Sequence, residues 1–169
     1  MNSLADKYYI TAADVYPFDV EVTLENLEYA LSYDAGHNAA NTLMGVLRME
    51  SFHDYAGAEE YFCAAMASDP ESVNTCVQYL KLLLKLRKIT EAERLLNYLK
   101  KLPGAMPDRN LAFRAQMYEL KKDFGKARFY LNEAMLECVD NEFMDFLKEE
   151  SSRIDGKIQM VSVSGSVIT

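Results

Sequence analysis

The chain has 169 residues, half of them apolar and about a quarter charged, which excludes wholesale disorder and favours a soluble globular protein. The net charge of −8 disfavours general nucleic-acid binding, because that binding depends on Lys and Arg neutralising phosphates. No apolar run approaches the ~20 residues of a membrane helix, and the polar, acidic N-terminus does not fit a secretory signal, so we expect a cytoplasmic protein without membrane contact.

Charge is distributed unevenly along the chain. Residues 1–73 carry 2 Lys or Arg against 13 Asp or Glu, residues 74–128 carry 13 against 5, and residues 129–169 carry 3 against 8. The sequence is therefore acidic at its beginning and basic in its middle. The acidic part of one molecule could therefore pair with the basic part of another, which leaves self-association open.

A helical pattern recurs along the chain at a nearly constant interval. A small or hydroxyl residue follows an aromatic or β-branched residue by three places at Thr23, Ala58, Ala92 and Ala127, which are 35, 34 and 35 residues apart. Apolar residues stand four and seven places after each of these anchors, which is the spacing of one face of an α-helix. Fixed-interval repetition of this kind predicts a repeat protein.

Each anchored helix is preceded by another predicted helix, and short polar segments separate the two members of a pair. Thr90 and Glu93 have the spacing of a capping box and predict the start of a second helix. The predicted units are 4–35, which is degenerate, then 36–70, 71–104 and 107–140, followed by a capping helix at 141–154.

A repeated helix–turn–helix of about 34 residues resembles the tetratricopeptide repeat. The resemblance covers most of the chain at the family's spacing positions, although the family's usual Trp is absent. It implies an all-α fold, an α-solenoid of tetratricopeptide-like repeats with a C-terminal capping helix, in a single domain over residues 1–156. Residues 157–169 break the helical pattern and are expected to form a flexible tail. The alternation of Val and Ser in this tail leaves open that it adds a β-strand to another protein.

The same resemblance implies a concave binding face lined by the first helix of each unit. Residues at helical spacing that are not needed to pack a pair would lie on it, with Lys81, Lys85 and Arg109 meeting carboxylates of a protein or peptide partner. An ordinary solvated face is the alternative for these cations. The implied partner-binding residues are Thr42, Val46, Met49, Asn74, Val77, Lys81, Lys85, Arg109, Ala112 and Gln116, and Glu119 continues the last stripe.

Some tetratricopeptide arrays clamp the C-terminal carboxylate of chaperone tails with Lys, Asn and Arg. The corresponding residues here are Thr42, Val46, Gln78, Arg109 and Phe113. Arg109 fits this pattern and Gln78 is a loose substitute for Asn, so the resemblance disfavours a chaperone-tail clamp. Gln78 is kept among the partner-binding residues.

The sequence predicts no catalytic, metal or cofactor site. Its three cysteines are widely spaced within helical apolar patterns, where we expect core side chains. His37 and His53 fall at a helix start and a turn without a neighbouring nucleophile, and there is no Gly-rich phosphate loop. The predicted function is a non-catalytic interaction module or adaptor. The alternative is a homo-oligomeric, self-assembling scaffold.

Overall fold

The computed structural model describes residues 3–166, and every regular element in that range is an α-helix. Each predicted repeat contains one pair of helices, and a single long helix follows the last pair. The helices are α1 (Leu4–Val15), α2 (Val20–Tyr33), α3 (Asn38–Glu50), α4 (Tyr55–Ser68), α5 (Val73–Lys85), α6 (Ile89–Leu99), α7 (Pro107–Leu120), α8 (Phe124–Glu137) and α9 (Asn141–Ser166).

The chain divides into two compact units, residues 1–82 and 83–169, with the border inside α5. In the first unit α1 packs on α2, α3 packs on α4, and α2 meets α3. In the second unit α7 packs on both α6 and α8, and α8 also packs on α9. The single domain expected over residues 1–156 stays a prediction.

The four anchors of the sequence repeat are small side chains at close helix contacts. Thr23, Ala58, Ala92 and Ala127 have no exposed surface, because each lies where a larger side chain would separate two helices. Each lies on the second helix of its pair. The repeat detected in the sequence is therefore a repeat of packing positions.

Gly45 brings α3 and α4 into especially close contact. A Cβ atom on Gly45 would lie 2.7 Å from the ring of Phe62, which is completely buried on α4. A contact that short is far inside normal carbon–carbon separation, so the site has room for hydrogen only. The glycine is thus required by packing and not by backbone conformation.

The turns inside the last three helix pairs each contain one residue in the left-handed backbone conformation. His53, Arg87 and Lys122 have φ angles of 53°, 55° and 61°, in the left-handed region that non-glycine residues rarely adopt. After Arg87 and Lys122, the next backbone N–H donates to a carbonyl five residues earlier, at 2.8 and 3.0 Å. These left-handed residues are 34 and 35 residues apart, so the repeat extends to the turns.

This turn explains why the capping box predicted at Thr90 is wrong. The chain leaves α5, passes through left-handed Arg87 and enters α6 at Ile89, so Thr90 is already inside the helix. Lys88 occupies the N-cap position, and its side chain makes no capping hydrogen bond. The backbone geometry of the turn sets the helix start in place of a side-chain cap.

Replacing Lys122 with glycine is expected to raise the free energy of unfolding by about 0.5–1 kcal/mol, since glycine adopts positive φ without a Cβ clash. Lys121 provides a matched control, because it is adjacent but has a right-handed φ of −77°. Lys121→Gly is expected to destabilise the protein. Urea unfolding of both variants measures the difference, and equal destabilisation by the two would contradict the prediction.

The C-terminal helix is longer than predicted. The capping helix expected at 141–154 continues as α9 to Ser166, so the tail predicted to be flexible is helical over residues 157–166. Residues 167–169 lie outside the described part. Ile154 is buried and Ile158 packs against the core formed with α7 and α8. These contacts account for α9 as far as residue 158, whereas Val161 and Val163 beyond it are exposed.

Candidate functional site

Buried hydroxyl groups join α3 to the beginning of α5 in the first unit. The Oγ1 atoms of Thr42 and Thr75 share a hydrogen bond of 2.8 Å, and the Asn38 side-chain amide donates to Thr75 Oγ1 at 3.1 Å. Thr42 Oγ1 also donates to the Asn38 carbonyl at 2.9 Å. Because hydroxyl groups buried this deeply need partners, the network fixes the register of α5 on α3.

This network corrects the sequence expectation for two residues. Thr42 and Met49 are only 2% and 1% exposed, so the expectation that they line an accessible face is wrong. The reason is that α3 contacts α2 and α4 and, through Thr42, also α5. Helical spacing alone selects residues on one side of a helix. Because neighbouring helices cover α3 on several sides, some of the residues selected in this way are buried.

The remaining predicted residues of the first unit are accessible to different degrees. Asn74 and Lys81 are exposed, while Val46, Val77 and Gln78 are half-buried. The Lys81 ammonium donates to the Gln78 side-chain oxygen at 3.3 Å. Val46 follows Thr42 by one turn of α3, and Gln78 follows Thr75 by one turn of α5. The buried hydroxyl contact therefore holds the helices that carry these accessible side chains.

In the second unit Arg109 already has partners within the chain. Its Nη2 atom lies 3.1 Å from Asp140 Oδ2, and its guanidinium carbon lies 3.5 Å from the centre of the Phe143 ring. This ion pair and cation–π contact join the start of α7 to the start of α9. Arg109 thus has a structural role that the sequence analysis missed.

The other predicted residues of the second unit differ in accessibility. Gln116 and Lys85 are exposed, whereas Ala112 is half-buried and packs against the core of α7, α8 and α9. Lys81 belongs to the first unit, and Lys85 and Arg109 belong to the second. Convergence of the three cations on one face therefore stays a prediction.

Glu119, on the same predicted stripe as Gln116, forms an ion-pair cluster with α9. Arg153 Nη2 donates to Glu119 Oε2 at 2.7 Å, and the Lys157 ammonium donates to the other carboxylate oxygen. The bonds from Arg153, with those from Lys157, lower the pKa of Glu119 to about 2. The Glu119 side chain is 14% exposed, so it joins helices within the unit.

Three tyrosines on the first helix pair form a cluster that the repeat pattern does not predict. Tyr8 on α1 lies 5.2 Å from Tyr29 and 5.7 Å from Tyr33 on α2, measured between ring centres. The i, i+4 spacing of Tyr29 and Tyr33 was the signal available in the sequence. The repeat does not indicate this cluster, because the recurring positions on α2 are the buried packing residues Thr23, Leu27 and Ala30 and not the exposed tyrosines.

His37 has a structural role, and the three cysteines differ in burial. His37 caps α3, since its Nδ1 atom accepts the Ala40 N–H at 3.0 Å and its Nε2–H donates to Asp6 at 3.0 Å. Cys76 is buried and Cys138 half-buried, but Cys63 is exposed, so the core position expected for it is wrong.

Two kinds of feature are absent from the part of the chain that the structure describes. Between residues 3 and 166, no three His, Cys, Asp or Glu side chains are arranged to hold a metal ion. None of the helices in that range has both the length and the apolar character to span a membrane.

Comparison with known proteins gives the fold. No family model matches the sequence, and no curated protein matches it. Among solved structures, the chain is similar to MamA 41-end from Desulfovibrio magneticus RS-1, with a TM-score of 0.68 and 16% identity over 96% of this chain and 95% of that chain. MamA contains tetratricopeptide repeats. The predicted all-α fold, an α-solenoid of tetratricopeptide-like repeats, is confirmed, and membership of the family stays a prediction.

Proposed function

We propose that the chain is a non-catalytic interaction module that binds a protein or peptide partner along the first helices of its repeats. The observation that carries the proposal is the arrangement of α3 and α5 in the first unit. A buried hydroxyl network fixes the two helices, while amide, ammonium and apolar side chains on them remain accessible. A surface whose backbone is already fixed loses little entropy on binding.

The accessible side chains of the first unit suit an extended or helical peptide. Asn74 and Gln78 would bond the partner's backbone, and Lys81 would meet a carboxylate. Val46 and Val77 are half-buried and would hold apolar side chains. An acidic partner with apolar anchors fits this combination.

In the second unit, the proposed partner-binding side chains are Lys85, Ala112 and Gln116, which offer one cation, one small side chain and one amide. Arg109 would have to leave Asp140 and the Phe143 ring to meet a partner's carboxylate. We therefore exclude Arg109 from the test, because its substitution would disturb the contact between α7 and α9 whether or not a partner binds.

The test uses peptides selected from a random display library against the full chain. The variant Asn74→Ala/Gln78→Ala/Lys81→Glu is expected to bind the tightest selected peptide at least about 10-fold more weakly, since amide and charge contacts are lost together. The control variant Glu60→Ala/Ala64→Ser/Ala67→Ser changes exposed residues on α4 and is expected to bind normally. Unchanged affinity of the first variant would refute the proposed surface.

A second candidate is self-assembly, which the uneven charge favours. Residues 1–82 carry 3 Lys or Arg against 13 Asp or Glu, whereas residues 83–169 carry 15 against 13. An acidic unit and a unit rich in cations attract each other between molecules at low salt. Light scattering over a salt series decides the question, and a monomer at every salt and protein concentration would exclude self-assembly.

A further inference from the structure

The three clustered tyrosines form an exposed aromatic surface on the first helix pair. The rings of Tyr8 and Tyr33 are stacked, with 6° between their planes, and Tyr29 is tilted by 33° against Tyr8. Tyr29 and Tyr33 are 47% and 57% exposed, and Leu4, one turn before Tyr8 on α1, is 54% exposed. One face of Tyr33 rests on Tyr8, so most of its exposed area belongs to the opposite face.

This tyrosine surface is separate from the contact between α1 and the next helix pair. Tyr9 and Asp6 both contact His37, at a ring-centre distance of 5.4 Å and a hydrogen-bond distance of 3.0 Å. Tyr8 points instead to α2. The first helix thus uses one set of side chains to join α3 and leaves Tyr8 to build the aromatic surface with Tyr29 and Tyr33.

The helix pair that carries the tyrosine surface is strongly acidic in sequence. Residues 4–34 contain seven Asp or Glu and a single cation, Lys7. Glu25 stands one turn before Tyr29 on α2 and accepts a long hydrogen bond of 3.5 Å from the Tyr29 hydroxyl. The outward faces of tyrosine rings carry negative potential, and the carboxylates of the same helix pair add to it.

We propose that the Tyr8–Tyr29–Tyr33 surface binds an arginine-containing segment of a protein partner. A guanidinium group would stack on the open face of Tyr33 or Tyr29 and donate hydrogen bonds to neighbouring carboxylates. Arginine fits better than lysine, since its planar, weakly hydrated group both stacks on rings and donates through several N–H groups. This surface is distinct from the one proposed on α3 and α5, so either proposal can fail alone.

Charge and ring chemistry both favour an arginine-containing partner over an apolar or an acidic one. A purely apolar partner would leave the surrounding carboxylates desolvated and unpaired, and an acidic partner would be repelled. Tyrosine is common at binding hot spots, because it offers a large, rigid ring with a polar tip. Five of the chain's 11 tyrosines lie within its first 33 residues, three of them in this cluster.

The test measures binding of fluorescein-labelled hexaarginine to the full chain by fluorescence anisotropy. Tyr29→Ala/Tyr33→Ala is expected to raise Kd by about 5- to 30-fold, because two ring faces are lost. Tyr29→Phe/Tyr33→Phe keeps both faces and is expected to bind within about twofold of the original chain. Tyr98→Ala removes a similarly placed ring, 37% exposed, from the second unit and is expected to change nothing.

Several results would overturn the proposal. No binding of hexaarginine, or equal Kd values for the original chain and the alanine pair, would show that the rings do not bind guanidinium. Equal affinity for hexalysine would reduce the interaction to charge alone. A dimer that the alanine pair abolishes in sedimentation experiments would replace the cationic partner with a second copy of the chain. Thermal unfolding of both the alanine pair and the phenylalanine pair confirms that the comparison is made on folded protein, and the phenylalanine pair retains the ring stacking.

Discussion

Replacing Gly45 with alanine is expected to lower the free energy of unfolding by about 1–3 kcal/mol, which is the usual cost of overpacking a core. The new methyl group would meet the Phe62 ring at 2.7 Å, and because this ring is completely buried, it can move aside only by displacing its neighbours. The sign is informative, because the same substitution inside a helix normally stabilises by about 0.5–1 kcal/mol. Urea unfolding measures the change.

Gly156 provides the matched control. It also lies within a helix, but nothing stands within 4 Å of the Cβ atom that alanine would add. Gly156→Ala is therefore expected to raise the free energy of unfolding by about 0.5–1 kcal/mol. A second control adds Phe62→Leu to Gly45→Ala and is expected to recover part of the loss, since a smaller side chain makes room. Stabilisation by Gly45→Ala alone would contradict the packing argument.

Replacing Glu119 with glutamine is expected to cost about 1–2 kcal/mol at neutral pH, a range that allows for solvent screening of the half-exposed cations. The substitution removes the negative charge to which both Arg153 and Lys157 bind, and therefore removes these two ion pairs between α7 and α9. The free energy of unfolding of both proteins in urea gives the difference. We expect the difference to shrink as salt is added.

The pH dependence of the same pair has a definite sign. The pKa of Glu119 falls from its ordinary 4.5 to about 2 in the folded chain, so the folded state holds its proton less tightly than the unfolded state. The stabilisation is complete above pH 4.5 and is lost as the pH falls towards 2. The stability difference between the original chain and Glu119→Gln should therefore vanish at the acid end of this window.

Asp145 supplies the control for the ion-pair argument. It pairs with Lys148 at 2.9 Å on the surface of α9, where the two side chains are 74% and 62% exposed. Asp145→Asn is expected to leave the unfolding free energy almost unchanged, because exposed pairs of this kind contribute little. If both substitutions had the same effect, the cluster around Glu119 would have no special role.

The repeat could be predicted from the sequence because it depends on side-chain volume. Ala58, Ala92 and Ala127 lie where two helices touch, so each of these residues must be small. Because this requirement recurs at a nearly constant interval, the repeat can be detected in the sequence. Fold class and the number of helix pairs follow from it.

The accessible surface and the end of the chain were harder to predict. Spacing on one helix cannot show how many neighbours surround that helix, so Thr42 and Met49 were expected at the surface and are buried. The continuation of α9 past residue 154 is accompanied by Ile158 packing against other helices and by the ion pair between Lys157 and Glu119. Both are long-range contacts, which local propensity does not record.

The left-handed residues of the last three pairs offer three comparable reporter positions. His53, Arg87 and Lys122 all have a positive φ yet carry chemically unrelated side chains, so each turn constrains the main chain and tolerates different side chains. A cysteine-linked fluorophore at each position in turn, in a chain whose exposed Cys63 is replaced by serine, would report on three successive hairpins. The order in which the three signals are lost during unfolding would show which hairpin opens first.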